Sequence, residues 1–512
     1  MSASTVTREA VREIAADLGW QLTDAEVDVY LDRLVTQVEG LGELFAVDSS
    51  EQVPQQLAAG AGDRAWWAPT PESDPLGLFI HRCEVRTGGT GPLSGRTLAL
   101  KDNIALAGVP MTLGSRALAG HVPEYDATVA ARLLAAGATI VGKTNLYEFS
   151  LGDVPSGYGR TLNPADQTRE TGGSSSGSAA AVASGAVDAA LGGDQGGSIR
   201  IPAAWCGVVG LKPSFGLVPH TGIAGADPTI DFVGPMARTV AEVATVLDVI
   251  AGRDGLDARQ PEGIDPPGYA AAVAEPPTRL RLGVLAEGLP ATTGPGVCWA
   301  VEETIEALAR QGHEVRQVSV PRHADAATAW LAIWLAGTHL MAQTGFGAAF
   351  HTGWYDASLV QQLTRLLPHA AELPLNLKQN VVAGEYLRRR YDGGLYPRAQ
   401  NLRPELAACY DEALAGLDAL VMPTTPDVAP RFTEPADEAE AVDLKVFGGG
   451  GLRLTDIVAN TAAFDFTGHP AVTVPCGDVD GLPVGFQVVG RRHDDRTVLR
   501  VARAVELTRE SR

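Results

Sequence analysis

The chain has 512 residues, 45% of them hydrophobic and 20% charged, with a formal net charge of −21. That length predicts two or three subdomains, and the composition is that of an ordinary globular protein. The acidic balance argues against nucleic acid or an anionic membrane as a partner, since both need a basic surface.

Residues 7–45 read as two helices. Val11, Ile14, Ala15 and Leu18 share one face of the first, and Gly19 is placed to end it. Thr23-Asp-Ala-Glu26 has the spacing of a capping box, and Val27, Tyr30, Leu31, Leu34, Val38 and Leu41 follow at helical intervals. This appended pair, with the loose stretch after it, sets a first segment of 1–75, and its apolar stripe points to core packing or to a homodimer contact. The opening residues lack the apolar run of a signal peptide, so the cytoplasm is the expected compartment.

From Leu76 strands and helices alternate. Arg96–Lys101, Thr139–Gly142, Leu280–Leu285 and His313–Val318 read as strands. Ala127–Ala136, Val240–Ile250 and Ala300–Arg310 read as helices. The pattern predicts an α/β fold with a mixed central sheet covered by helices. Residues 326–415 interrupt it with a helical, Trp- and Leu-rich inserted subdomain. Strands return at Leu417, Ala471 and Val484, and a helix from Asp495 to Leu507 closes the chain. The expected organisation is 76–325 and 416–512 as two parts of one core flanking the insertion. Ala326–Tyr355 carries no formal charge, but its Thr, Gly, His and Gln residues fit a pocket-lining helix better than a membrane span.

Five scattered cysteines with no C-x-x-C, and histidines with no ligand spacing, indicate neither a disulfide framework nor a metal site. The informative stretch is Thr171–Ala203. Two glycine-led serine clusters, Gly172–Ser178 and Gly196–Ser198, flank an Ala-rich segment. Gly/Ser runs are most often linkers, but this one sits in the most apolar part of the chain. A tight Gly-Gly-Ser turn presents a hydroxyl beside free N–H groups, as an oxyanion site requires. Gly173-Ser-Ser-Ser-Gly177 also fits the G-x-S-x-G elbow, which would make Ser175 a nucleophile. That motif needs a strand before it, and Gln167–Gly172 is polar. Only five lysines occur among 40 basic residues, and Lys101 ends an apolar strand. Lysine, unlike arginine, can lose its proton when buried and act as a base.

Taken together, Leu98-Ala-Leu-Lys101-Asp-Asn, Gly142-Lys-Thr-Asn-Leu-Tyr-Glu-Phe149, the two serine clusters, Gly207-Val-Val-Gly-Leu-Lys-Pro213 and Phe466-Thr-Gly-His-Pro-Ala-Val-Thr-Val-Pro-Cys-Gly resemble the amidase signature family of serine hydrolases. The chain looks closest to bacterial amidases associated with nitrile hydratase. The resemblance implies a Ser-Ser-Lys triad: Ser198 as nucleophile, Ser174 as bridging serine behind a cis peptide, and Lys101 as base. No cofactor or metal is implied. The N–H groups of Gln195, Gly196, Gly197 and Ser198 would hold the oxyanion. Ser175 would orient Lys101, and Asp194 and Arg200, which flank the turn, would pair to hold it, with an ordinary surface ion pair as their bland alternative. Phe149, Ile230, Trp330, Trp334, Leu452 and Ile457 are candidates for the acyl pocket. The expected reaction is hydrolysis of small aliphatic or aromatic carboxamides to carboxylate and ammonia through an acyl-enzyme. Alternatives are aryl anilide, carbamate or hydrazide hydrolysis, a glutaminyl-tRNA amidotransferase A-type subunit, and a non-catalytic binding protein. The acidic charge, the N-terminal helices and the insertion favour a stand-alone enzyme.

Overall fold

The computed structural model describes residues 6–46, 53–58, 64–151, 156–264, 266–275, 278–344, 352–366, 373–433 and 454–510. It divides into two compact units, 1–55 and 56–512. In the first, helices Arg8–Asp17 and Asp24–Ala46 pack together. Thr7 Oγ1 caps the first helix by accepting from Ala10 N–H at 3.1 Å. Thr23 and Glu26 form the reciprocal capping box expected for the second: Thr23 N–H donates to Glu26 Oε2 at 2.7 Å, and Glu26 N–H to Thr23 Oγ1 at 3.3 Å.

The second unit is built on a mixed sheet. Its strands are β1 (Trp66–Trp67), β2 (Phe79–Val85), β3 (Thr97–Lys101), β4 (Thr139–Thr144), β5 (Ala189–Asp194), β6 (Val209–Lys212), β7 (Phe232–Ala237), β8 (Arg281–Leu285), β9 (Glu314–Val318), β10 (Ala419–Pro423), β11 (Ala471–Val479) and β12 (Leu482–Val489). Among the described residues the order is β1-β2-β4-β3-β5-β7-β6-β11-β12-β10-β8-β9. The mixed α/β architecture is the expected one. The sheet begins earlier than the loose composition before Leu76 suggests, because Trp66–Trp67 pairs with Arg82 and Cys83 of β2. The helices between His323 and Ala413 belong to the same compact unit as the sheet, not to a separate one. No described helix is long and apolar enough to cross a membrane.

Strands β3 and β5 run parallel, with Leu98 opposite Ala189 and Leu100 opposite Leu191. Their carboxyl ends therefore lie side by side, and they carry Lys101 and Asp194. Loops beyond such strand ends are the usual place for a ligand in an α/β sheet. The Ala-rich segment is only partly helical: Ser176–Ala183 is a helix, and Ala189–Asp194 is β5. Small side chains let that helix lie close on the sheet, where Ala179, Ala180, Ala181 and Val182 pack with Ala190, Ile199 and Met236. The closest approach is at Gly177. A methyl group there would sit 2.4 Å from Leu78 O and 2.6 Å from Asn145 N, both immobile backbone. Gly177→Ala is therefore expected to cost about 2–3 kcal/mol of stability by overpacking, read as a lowered urea midpoint. An unchanged midpoint would show that the helix can shift.

Candidate active site

Three of the four described lysines, Lys101, Lys143 and Lys212, are fully buried. Burial therefore does not single out Lys101, but its neighbours do. Lys101 Nζ lies 2.7 Å from Ser174 Oγ and 3.5 Å from Gly193 O. Lys212 instead lies 3.7 Å over the Phe232 ring. Burial lowers Lys101 to about 7, opposed by the carboxylates of Asp194 and Asp231. Near neutrality its amine is therefore substantially unprotonated, as a base requires.

Ser174 follows a cis peptide after Gly173. Its carbonyl accepts from Tyr147 N–H at 3.1 Å, and Ser175 N–H donates to Ser198 O at 3.3 Å, tying the two serine turns together. Ser174 and Ser198 line one cleft of about 510 Å³. The three serines differ in access. Ser198 is half-buried, Ser174 is 3% exposed and Ser175 is fully enclosed. Ser175 Oγ donates to Gly193 O at 3.0 Å and accepts from Gly193 N–H at 3.2 Å. It thus shares a carbonyl with Lys101 and acts on it through Gly193. Among the described residues no strand leads directly into Ser175, so the elbow geometry is absent.

The turn around Ser198 is held peptide by peptide. Trp330 Nε1–H donates to Gln195 O at 2.6 Å, and Thr461 Oγ1–H to Gly196 O at 2.6 Å. In a trans peptide the N–H points opposite the carbonyl, so the Trp330 bond also fixes the direction of the Gly196 N–H. Gly197 N–H donates to Asp194 Oδ1 at 2.6 Å. This corrects the expectation for Gly197, whose donor is committed to the carboxylate and unavailable to an oxyanion. Gln195, Gly196 and Ser198 remain as candidates.

Asp194 and Arg200 are not a surface pair. Both are completely buried, as is Asp465. Arg200 donates to Asp194 through Nε at 3.0 Å and Nη2 at 2.9 Å, to Asp465 Oδ2 at 2.6 Å, and to Thr461 O and Gln487 Oε1 at 3.0 Å each. Burial pushes both carboxyls up. At Asp194 the guanidinium overcomes it and holds the group ionised, while Asp465, beside the Asp194 charge, is left well above the usual range. One guanidinium thus serves two carboxyl groups whose proton affinities are pushed in opposite directions.

The cleft is lined by Tyr147, Ile201, Trp205, Trp330, Trp334 and Ile457 among others, with the Trp330 and Trp334 rings stacked at 5.5 Å. Trp330, Trp334 and Ile457 are thereby brought to the serines. Phe149 is not: it lines a neighbouring small cavity with Asn103, Leu113 and Thr338. Tyr147 of the same motif faces the cleft in its place. Ile230 is fully buried and lines none of the three clefts described, because it packs just ahead of β7. Leu452 lies outside the described residues. Ile201 and Trp205 had a legible signal: they stand three and seven residues after Ser198, a helical repeat on one face. A larger cleft of about 820 Å³, lined by His220, Asp231 and Arg259, contains neither Ser174 nor Ser198. Among the described residues no cluster suits a metal ion.

The protonation pattern around Arg200 has a consequence for stability. Asparagine reproduces a protonated Asp465, so Asp465→Asn is expected to stay within about 1 kcal/mol of the parent. Asp194→Asn removes the counter-charge of a buried guanidinium and is expected to cost about 3–5 kcal/mol. Urea unfolding of both variants at pH 7 checks the order. Equal losses would mean that both acids are ionised.

The amidase family model matches residues 81–499. An enantioselective amidase of Rhodococcus rhodochrous is 42% identical over 463 residues, covering 89% of this chain and 87% of the relative. The A subunit of the glutamyl-tRNA(Gln) amidotransferase of Halobacterium salinarum is 38% identical over 440 residues, covering 84% and 99%. Among solved structures, a peptide amidase bound to the competitive inhibitor chymostatin superposes with a TM-score of 0.66 at 34% identity, covering 81% of this chain and 84% of that one. With a match across most of its length, this chain belongs to the amidase family of amide-hydrolysing enzymes.

Proposed function

We propose that the protein hydrolyses small aliphatic or aromatic carboxamides to carboxylate and ammonia through Ser198, Ser174 and Lys101. The observation that carries this reading is the contact of 2.7 Å between the buried Lys101 amine and Ser174 Oγ, which shares a cleft with a half-buried Ser198. Ser198 Oγ attacks the amide carbonyl carbon. Its proton passes to Ser174 Oγ, whose own proton goes to Lys101 Nζ. The N–H groups of Gln195, Gly196 and Ser198 receive the oxyanion. The proton returns through Ser174 to the leaving nitrogen as the C–N bond breaks. Water then repeats the sequence on the acyl ester and frees the carboxylate.

The apolar walls of Ile201, Trp205, Trp330, Trp334 and Ile457 suit an aliphatic or aryl acyl group. The enzyme works in the cytoplasm on this reading, in keeping with five free cysteines. Identity to the A chain of an amidotransferase favours a second reading, in which the same triad serves partner proteins. Release of ammonia from a free amide by the purified chain alone would decide against it.

Ammonia release from benzamide and propionamide, with Ser198→Ala in parallel, tests the proposal. Wild type is expected to turn over, Ser198→Ala to be inactive, and Lys101→Ala to lose at least about a hundredfold. A fluorophosphonate probe is expected to label Ser198 and not Ser175. The base must be neutral to act, so kcat/KM is expected to rise with pH through about 7 and level off above it. Activity in either variant, or labelling at Ser175, would overturn the mechanism.

The N-terminal helix pair presents Ile14, Leu18, Trp20, Val38 and Leu41 to solvent. We propose that this stripe forms a homodimer contact. Light scattering is expected to give a dimer for the full chain and a monomer after deletion of residues 1–45. A full-length monomer, or a dimer that survives the deletion, would refute it.

A further inference from the structure

The Lys101 amine borders a notch that the mechanism does not use. Gly193 has no side chain, and a methyl group built on it would lie 3.5 Å from Asn103 Nδ2, 3.5 Å from Gln195 Nε2 and 3.6 Å from Lys101 Nζ. Outside the two adjoining residues these are the three nearest atoms, so three nitrogens face the open side of Gly193 at ordinary contact distance. Gln195 is 1% exposed, and neither its Nε2 nor its Oε1 has a hydrogen-bond partner. Asn103 is equally enclosed. Its Nδ2 donates to Ala224 O at 2.8 Å, while its Oδ1 has no partner. A buried amide group without a partner costs about 1–3 kcal/mol, and the orphaned atoms here adjoin the catalytic amine. A water resting against Gly193 Cα sits beyond the methyl position, toward these nitrogens, and a buried water needs two to four polar partners. The notch supplies them.

We propose that the notch over Gly193 binds one water joining Lys101 to the carboxamides of Gln195 and Asn103, and that Gln195 is thereby a positioning residue for the Lys101 amine. The proposal rests on the reading of Lys101 as general base. A carboxamide has a donor end and an acceptor end. With the water between them, Gln195 can serve Lys101 in both protonation states: the water donates to the neutral amine and accepts from the ammonium. The other groups facing Lys101 are Asp194 at the end of β5, Asp231 ahead of β7, His220 and the Ser174 hydroxyl. Of these, Asp231, His220 and the Ser174 hydroxyl all lie farther from the notch than the three nitrogens.

The pH dependence of kcat/KM on one amide substrate tests this. Wild type must first show an acid limb near pH 7. Its absence would overturn the base reading and the notch with it. Gln195→Glu places a carboxylate beside the amine and is expected to move the limb up by about one pH unit, with KM within about twofold. Gly193→Ala fills the notch at ordinary contact distance. It is expected to move the limb down and lower kcat about tenfold, since the ammonium loses its water. Gln195→Leu is expected to follow Gly193→Ala. A wild-type limb near 7 that stays put in Gly193→Ala and Gln195→Leu would overturn the notch while leaving Lys101 as base, whether or not Gln195→Glu folds.

Discussion

The buried Arg200 is the constraint on which the site depends. A guanidinium with no access to water must have its donors satisfied, and it draws partners from three places. Asp194 ends β5, Thr461 and Asp465 belong to the segment before β11, and Gln487 is on β12. Asp194 in turn accepts from the backbone N–H groups of Gly197 and Ile199, on either side of Ser198. The turn that carries Ser198 is therefore anchored to the far end of the chain. Removing one partner leaves a buried charge uncompensated, which costs more than the pair contributes. The network specifies geometry more than it adds stability.

The groups proposed to carry the chemistry form the next layer. Parallel strands β3 and β5 bring Lys101 beside Gly193, and the Gly193 carbonyl serves both Lys101 and Ser175. Burial that would be a liability for a structural lysine holds this one near neutrality, where it can both accept and return a proton. Trp330 joins the two halves of the site. Its indole N–H fixes the Gln195–Gly196 peptide, and its ring forms a wall of the cleft. A change at Trp330 would disturb substrate fit and oxyanion geometry together.

Much of this was legible in the residues. The capping box, the alternation of strands and helices, and the paired Gly/Ser clusters have local causes, and local causes act wherever their residue pattern occurs. The same holds for the lysine at the end of an apolar strand. Lysine scarcity pointed inward correctly, yet it could not choose among Lys101, Lys143 and Lys212, which are equally enclosed.

By itself the sequence determined the α/β class, the appended helix pair and the stretches from which the chemistry is drawn, because periodicity, caps and glycine turns are set by near neighbours. Tertiary structure alone decided which side chains meet. It decided between the two readings of Asp194 and Arg200, making them a buried anchor of the turn and not a surface pair, and it added Asp465 from 265 residues away. It committed the Gly197 N–H to Asp194, sent Phe149 to a neighbouring cavity while Tyr147 took the cleft wall, and left Ile230 in the core. Each of these depends on contacts between segments far apart in the chain, and no local spacing encodes the direction in which a side chain finds its distant partner.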